Sequence, residues 1–255
     1  MKFFMVTALI LGAASFLSAQ NFNSMRAEYY KYHRTKPEEA LKIAKEMENL
    51  PDLTEQQRFT VLGLQLGAAY YMKNPETCVE LAKKIIEMPD APAATKASAY
   101  YLGGIKQGQM KNNEEFLRYM VEGERIAPTD QSKINLMVYR IIALIRLKRN
   151  DEAIKFSEQA AAFAKEKKQR DWELRVYYAV GRAYPAKEQR KFFEDVIKDQ
   201  DVFSYSYGQH IAHCLLNDHY RKDPEKAKAL CERVLKEAKK VVHPDFQRKL
   251  DQLSK

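Results

Sequence analysis

The chain has 255 residues, of which 45% are apolar and 30% are charged, and it contains only 9 Gly and 9 Pro. This composition supports a hydrophobic core and excludes both a long disordered chain and a turn-rich β-sandwich. The formal net charge is +9, and the part from residue 146 onward holds 25 Lys and Arg against 18 Asp and Glu. Runs rich in Ala, Leu, Glu, Lys and Gln dominate, without sustained alternation of β-branched residues, so the sequence predicts an all-α protein.

The first segment, MKFFMVTALILGAASFLSAQ, has one lysine, an apolar run and then small residues up to Ala19. This layout is typical of a secretory signal peptide. We therefore expect residues 1–19 to be removed after Ala19, and the mature chain to be periplasmic or secreted. An uncleaved anchor is the alternative, because the apolar run approaches the length of a membrane span. No later segment is apolar enough to cross a bilayer, so the mature chain is expected to have no transmembrane segment.

Similar helix-start segments recur along the chain at intervals of 38, 38, 37 and 74 residues. The last interval is two periods, so it predicts a further unit near residue 187. A nearly constant period of this size is typical of a repeat architecture. The recurring segments are KPEEALKIAKEME from Lys36, NPETCVELAKKIIEM from Asn74, NNEEFLRYMVEGERI from Asn112, RNDEAIKFSEQAAAF from Arg149 and DPEKAKALCERVLKEA from Asp223.

Each junction has the chemistry of a helix N-terminus. Asn74 and Asp223 can accept a hydrogen bond from the first turn, and Pro75 and Pro224 follow at the first helical position. Acidic residues come next in every one of these segments, where they suit the positive end of the helix dipole. Because these carboxylates recur at each unit, we interpret them as helix-start residues and assign no catalytic role to them.

A second helical pattern precedes each junction, so each unit is expected to be a helical hairpin. The second helices of the hairpins should start near residues 37, 75, 113, 150, 187 and 224. The first helix of the last hairpin is expected over 202–221. One hairpin cannot bury its apolar face alone, so stacked neighbours must cover it. The segment 241–255 is expected to form a capping helix.

These units resemble the tetratricopeptide repeat family. That family carries a Leu-Gly-x-x-Tyr pattern in its first helix, which matches the run from Leu66 to Tyr70 and nearly matches the run from Val180 to Tyr184. The observed period is longer than the roughly 34 residues usual for the family. The resemblance implies a right-handed α-solenoid of about six repeats of period 37–38 over residues 20–240. It also implies that the first helices line a concave groove that takes peptides.

Tyrosines concentrate in the first helices of the hairpins, where the resemblance places the groove. Tyrosine suits a binding surface because it offers a large area, few rotatable bonds and a polar tip. Arginine in the same helices could pair with an acidic side chain or a C-terminal carboxylate. The alternative is that these tyrosines pack between helices. The candidate peptide-binding residues are Tyr71, Tyr101, Tyr139, Tyr178, Arg146 and Arg182.

Metal binding and a disulfide are further possibilities in the last repeat. His210 and His213 lie one helical turn apart and could share a metal ion, with His219 or Asp218 as further ligands; ordinary helix histidines are the alternative. The sequence contains three cysteines, and Cys214 and Cys231 lie symmetrically about a turn. In an oxidising compartment these two could form a disulfide, or they could be two buried thiols.

Phosphate-binding loops, dinucleotide-binding turns and nucleophile elbows are absent from the sequence. We therefore expect an exported, non-catalytic module that needs no cofactor and binds a protein or peptide in the cell envelope. Export argues against a nucleic-acid partner. One alternative is an anionic envelope component bound by the basic second half, where exposed charges attract polyanions. The other is a metal-dependent enzyme around His210 and His213.

Overall fold

The computed structural model describes residues 20–238 and 244–253. Throughout these ranges the regular structure is helical, without any β-strand, as the sequence predicts. The expected signal peptide and its cleavage after Ala19 lie outside the described residues. The chain divides into two compact units, Met1–Leu136 and Met137–Lys255, and each is described by itself below.

The first unit consists of helical hairpins whose helices pack in chain order. Consecutive helices contact each other from α2 to α6, and α3 also contacts α5. First helices of successive hairpins therefore lie side by side in this unit. The helices are α1 (residues 20–32), α2 (Pro37–Glu48), α3 (Glu55–Tyr71), α4 (Pro75–Glu87), α5 (Ala93–Gln109), α6 (Asn113–Ile126) and the N-terminal part of α7 (Asp130–Arg146).

The second unit continues the series. Here α8 packs on α9, α9 on α11, and α12 on α13. Short 3-10 turns occur at Gly181–Ala183 and Val202–Ser204, and a π-helical turn occurs at Leu215–His219. The helices are α8 (Asn150–Glu166), α9 (Arg170–Val180), α10 (Ala186–Val196), α11 (Ser206–Cys214), α12 (Pro224–Glu237) and α13 (Pro244–Leu253).

Helix starts follow the local chemistry of the recurring junctions. The side chain of Asn74 accepts a hydrogen bond from the backbone N–H of Glu76 at 2.8 Å, and that of Asp223 accepts one from Lys226 at 3.1 Å. Thr54 and Gln57 form a reciprocal capping box at the start of α3. These bonds satisfy N–H groups that a helix leaves without internal partners.

Three turns that follow a helix use a lysine where the backbone is left-handed. Lys111, Lys148 and Lys168 have φ angles of 65°, 61° and 55°. The next residue in each turn donates a backbone hydrogen bond five residues back, as Arg149 does to the carbonyl oxygen of Leu144 at 2.9 Å. This is the Schellman arrangement, in which glycine is the usual left-handed residue. The turns are therefore tight despite lacking glycine.

The core of the first unit joins α1, α2 and α3. Tyr29 is 2% exposed, and its hydroxyl donates a hydrogen bond to the carbonyl oxygen of Leu64 at 2.8 Å. Ala40, Ala44 and Met47 supply the buried face of α2. A buried hydroxyl costs free energy unless it is hydrogen-bonded, so the Tyr29 bond fixes how α1 lies against α3.

The core of the second unit is richer in aromatic residues and reaches the last helix. Phe193, Phe203 and Phe246 are fully buried in one cluster with Leu215 and Val234. Phe246 lies on α13, so this helix covers apolar surface at the end of the chain, where a capping helix is expected. Among the described residues, none of the helices has the length and hydropathy needed to cross a membrane.

The expected helix over 202–221 is wrong as a continuous element. It begins as a 3-10 turn, bends at Tyr205, continues as α11 and ends as a π-helical turn. A Cβ atom at Gly208 would lie 2.0 Å from the carbonyl oxygen of Val202, so only glycine permits this close return of the chain. The side chain of Gln209 donates a hydrogen bond to the carbonyl oxygen of Phe203 at 2.9 Å and holds the bend.

Candidate functional site

A small cleft in the second unit brings together side chains from α7, α9, the 3-10 turn after α9, and α11. Its volume is about 160 Å³. Val138 and Ala179 are buried and contribute its apolar base together with Ile142. The remaining lining residues, which define what we call the tyrosine–arginine cleft, are Tyr139, Arg175, Tyr178, Arg182 and Tyr207.

Helical spacing explains why three of these residues share one side. Arg175 and Tyr178 lie at positions i and i+3 of α9, and Arg182 follows at i+7 in the 3-10 turn that directly continues α9. Tyr177, one residue earlier than Tyr178, points elsewhere. Its hydroxyl donates a hydrogen bond to Glu173 at 2.8 Å, and its ring meets Phe192 with the centroids 5.9 Å apart. Of these two adjacent tyrosines, Tyr177 therefore packs between helices and Tyr178 lines the cleft.

Arginine side chains in the cleft are held over tyrosine rings. The guanidinium carbon of Arg175 lies 6.0 Å from the ring centroid of Tyr139 and 5.8 Å from that of Tyr207. The guanidinium carbon of Arg182 lies 5.4 Å from the ring centroid of Tyr178, and Arg182 donates a hydrogen bond to the Tyr178 hydroxyl at 3.2 Å. Cation–π contacts at exposed sites contribute about 0.5–1 kcal/mol each. They therefore preorganise the two guanidinium groups.

The rings also contact one another across helices. The ring centroids of Tyr178 and Tyr207 are 6.0 Å apart, and the ring of His210 lies 5.6 Å from each. Burial raises the pKa of Tyr207, nearby Arg175 opposes the shift, and nearby Asp171 adds to it. Tyr207 therefore keeps its proton at neutral pH and can donate a hydrogen bond. The cleft thus offers positive charge, hydroxyl donors and aromatic area.

Other candidate residues lie apart from this cleft. Tyr101 lines a separate cleft of about 280 Å³ in the first unit, together with Pro128 of the loop before α7 and with Ser132 and other residues of α5 and α7. Tyr71 is 43% exposed, and its ring contacts His33 and Arg34. Arg146 lies exposed at the C-terminal end of α7 and is not among the residues that line either cleft.

The structure brings together Tyr139, Tyr178 and Arg182, and it adds two residues that were not singled out in the sequence. Arg175 could have been found there, because it lies three residues before Tyr178 on the same helical face. Tyr207 could not, because α11 begins only after the bend at Tyr205. Its position depends on how α11 packs on α9.

The two histidines considered for metal binding have different neighbours. His210 contacts the cleft tyrosines, whereas Nε2 of His213 lies 3.1 Å from a carboxylate oxygen of Asp245 in α13. His219 lies 3.0 Å from the side-chain oxygen of Gln189. In the part of the chain that the structure describes, no three or more His, Cys, Asp and Glu side chains are grouped so as to hold a metal ion.

Cys214 and Cys231 are not joined by a disulfide in this structure. Both are free thiols, as is Cys78, which is fully buried. Cys231 lies on the buried face of α12 and Cys214 packs at the edge of the same apolar cluster. This arrangement is compatible with two small apolar residues at helix contacts, and the disulfide stays a prediction for thiol counting to test.

A search of protein-family models finds no match to the chain, and a search of curated proteins also finds none. The fold by itself defines an all-α protein whose helices pack in consecutive order within each unit, which is compatible with a helical repeat architecture.

Proposed function

We propose that this chain is an exported, non-catalytic binding module that holds a peptide or protein segment of the cell envelope in the tyrosine–arginine cleft. One observation carries the proposal: Arg175 and Arg182 are held over the rings of Tyr139, Tyr178 and Tyr207 in an open cleft. Preorganised guanidinium groups recognise carboxylates with little loss of side-chain entropy.

The size of the cleft favours a part of a larger ligand. Sites for whole small molecules usually measure about 300–1,000 Å³, whereas this cleft measures about 160 Å³. One acidic side chain or a C-terminal carboxylate fits this space better than a complete substrate. Tyrosine rings around it can pack against neighbouring peptide atoms, as they do in other rigid recognition surfaces.

A selection from a library of displayed peptides on the purified protein tests the proposal. We expect enrichment of peptides with an acidic residue or a free C-terminal carboxylate beside apolar residues. The double variant Tyr178→Ala/Arg182→Gln should lose the enrichment. The matched control is Tyr30→Ala/Arg34→Gln, which removes the same residue types from α1 and the turn after it, and it should retain the enrichment.

Two outcomes would reject the proposal. One is that selected peptides bind the double variant as tightly as the unaltered protein. The other is binding of polyanions of every kind, unaffected by the cleft variant and lost steeply with salt, because exposed charges are screened. The second outcome would favour the alternative function, in which the basic second half binds an anionic envelope component.

A further inference from the structure

The first unit contains a larger pocket that the proposed function does not use. It has a volume of about 370 Å³ and lies among the end of α2, the loop to α3, the first half of α3 and the end of α4. This volume falls within the usual range for small-molecule sites. Most of its lining is apolar and comes from Leu50, Leu53, Val61, Leu62 and Met88.

These apolar residues divide into a base and walls. Leu53, Val61 and Leu62 are buried, with exposed fractions of 8%, 1% and 6%. Leu50 and Met88 are only half-buried, so they present apolar surface toward the pocket. Covering such surface with an apolar group is favourable because it removes apolar area from water. The pocket therefore suits the apolar body of a ligand.

Arg58 and Lys84 also line the pocket, and both are exposed. Among the described residues, the guanidinium group of Arg58 and the ammonium group of Lys84 have no hydrogen bond or ion pair. Two other arginines of this unit differ, since Arg118 and Arg125 each contact a glutamate three residues away at 2.7 Å. The cations at the pocket are thus available to a ligand.

Glu48 is the one acidic residue in the lining, and its carboxylate is hydrogen-bonded by a buried side chain of the core. A carboxylate oxygen of Glu48 accepts a hydrogen bond at 2.8 Å from the side-chain amide of Gln65, which is only 2% exposed. Two cations therefore face one carboxylate that already has a buried partner. The charge balance at the pocket favours an anion.

We propose that this pocket binds a monomeric amphiphilic anion, an apolar chain or ring system that carries one carboxylate or phosphate group. The apolar part would lie against Leu50 and Met88, and the head group would contact Arg58 and Lys84. The site lies entirely in the first unit and involves none of the residues of the tyrosine–arginine cleft. The proposed anion site can therefore be tested independently of the proposed peptide binding.

Isothermal titration with decanoate, decyl phosphate and decanol tests this assignment, each below its micelle concentration or solubility limit. The two anions should bind at one site per chain and at least about tenfold more tightly than decanol, since a charge-assisted contact adds to apolar burial. The variant Arg58→Gln/Lys84→Gln should lose that tenfold preference and keep its weak affinity for decanol. The control Lys31→Gln/Lys73→Gln removes two exposed charges from the same unit and should retain the preference.

A second variant and a measurement of binding to phospholipid vesicles complete the test. Met88→Trp should fill the pocket and reduce the binding of all three probes, while circular dichroism confirms an unchanged fold. Binding of decanol as tight as that of the anions would overturn the proposal. So would unaltered anion binding by the Arg58/Lys84 variant. Binding only to vesicles of anionic phospholipid, without binding of either monomeric anion, would overturn it in favour of a membrane surface.

Discussion

At the scale of single residues, the glycines of the recurring Gly-x-x-Tyr pattern have packing roles that differ from repeat to repeat. A Cβ atom at Gly181 would lie 2.2 Å from the ring of Phe193 in α10, the helix that follows. A Cβ atom at Gly67 would lie 2.9 Å from the Tyr29 hydroxyl in α1, which precedes it. The same sequence pattern therefore permits close contact with different neighbours.

Replacement of Gly181 by alanine should destabilise the protein by about 1–3 kcal/mol, because Phe193 is 1% exposed and has little room to move. Gly63→Ala is the matched control. A Cβ atom there meets nothing within 4 Å, so the change should stabilise the protein by up to about 1 kcal/mol through helix propensity. Urea unfolding of both variants checks the pair, and equal effects of the same sign would contradict the packing role of Gly181.

Cysteine reactivity offers a second test at this scale. Burial raises the pKa of Cys78 to about 12, and it also raises the pKa values of Cys214 and Cys231. Because the thiolate is the reactive form, all three thiols should react slowly with a disulfide reagent in the folded protein at pH 8. Half-buried Cys214 should react first.

The same assay counts the thiols after unfolding without reductant. Three reactive groups are expected, since the structure has three free cysteines. A count of one would show a disulfide between two of the three cysteines, with Cys214 and Cys231 as the expected pair. Rapid labelling of Cys78 before unfolding would contradict its burial.

At the scale of helices, the sequence predicts elements well where start signals are local. Pro75 and Pro224 occupy the first positions of α4 and α12, next to residues whose side chains cap those helices. The sequence fails at 202–221, because the bend there results from contact between Gly208 and Val202 and from the hydrogen bond of Gln209. Neither interaction leaves a periodic signal.

The left-handed lysines lead to a prediction about turns. The left-handed backbone conformation costs a residue with a Cβ atom roughly 1–2 kcal/mol of conformational free energy, and glycine does not have this cost. Lys148→Gly should therefore stabilise the turn between α7 and α8 by about 1 kcal/mol. The control Lys155→Gly changes an exposed position inside α8 and should cost about 1 kcal/mol. Thermal melting of both variants gives the answer, and a lower melting temperature for Lys148→Gly would refute the strain argument.

The site was only partly predictable for a related reason. Helical phase, continued from α9 into the 3-10 turn after it, indicates that Tyr178 and Arg182 share a face. The repeat spacing indicates Tyr139. The contact of Arg175 with both Tyr139 and Tyr207 joins three helices. Such a juxtaposition depends on packing between helices that are distant in sequence, which no local pattern encodes.

At the scale of the whole molecule, two compact all-α units follow one another along a single repeat pattern. The period of 37–38 residues in the sequence runs across the boundary between them, which falls inside α7. The recurring spacing of helix starts is therefore shared by both units, while the two proposed binding sites belong to different units.

Export is a prediction about the entire chain as well. When the gene is expressed with its native N-terminus, the mature protein should begin at Gln20, because small residues precede that position. Ala19→Arg should block processing and leave the precursor in the membrane fraction. N-terminal sequencing of the exported protein measures this, and an unprocessed N-terminus in the unaltered protein would favour the anchor alternative.

The proposed function depends most on the binding of a peptide carboxylate by Arg182 in the tyrosine–arginine cleft. A double-mutant cycle tests it, combining Arg182→Gln with replacement of the acidic residue of a selected peptide by its amide. We expect a coupling free energy of at least about 1 kcal/mol, because the effects of changing two directly interacting groups are not additive. Additive effects with no coupling would contradict the account and show that the peptide carboxylate binds elsewhere.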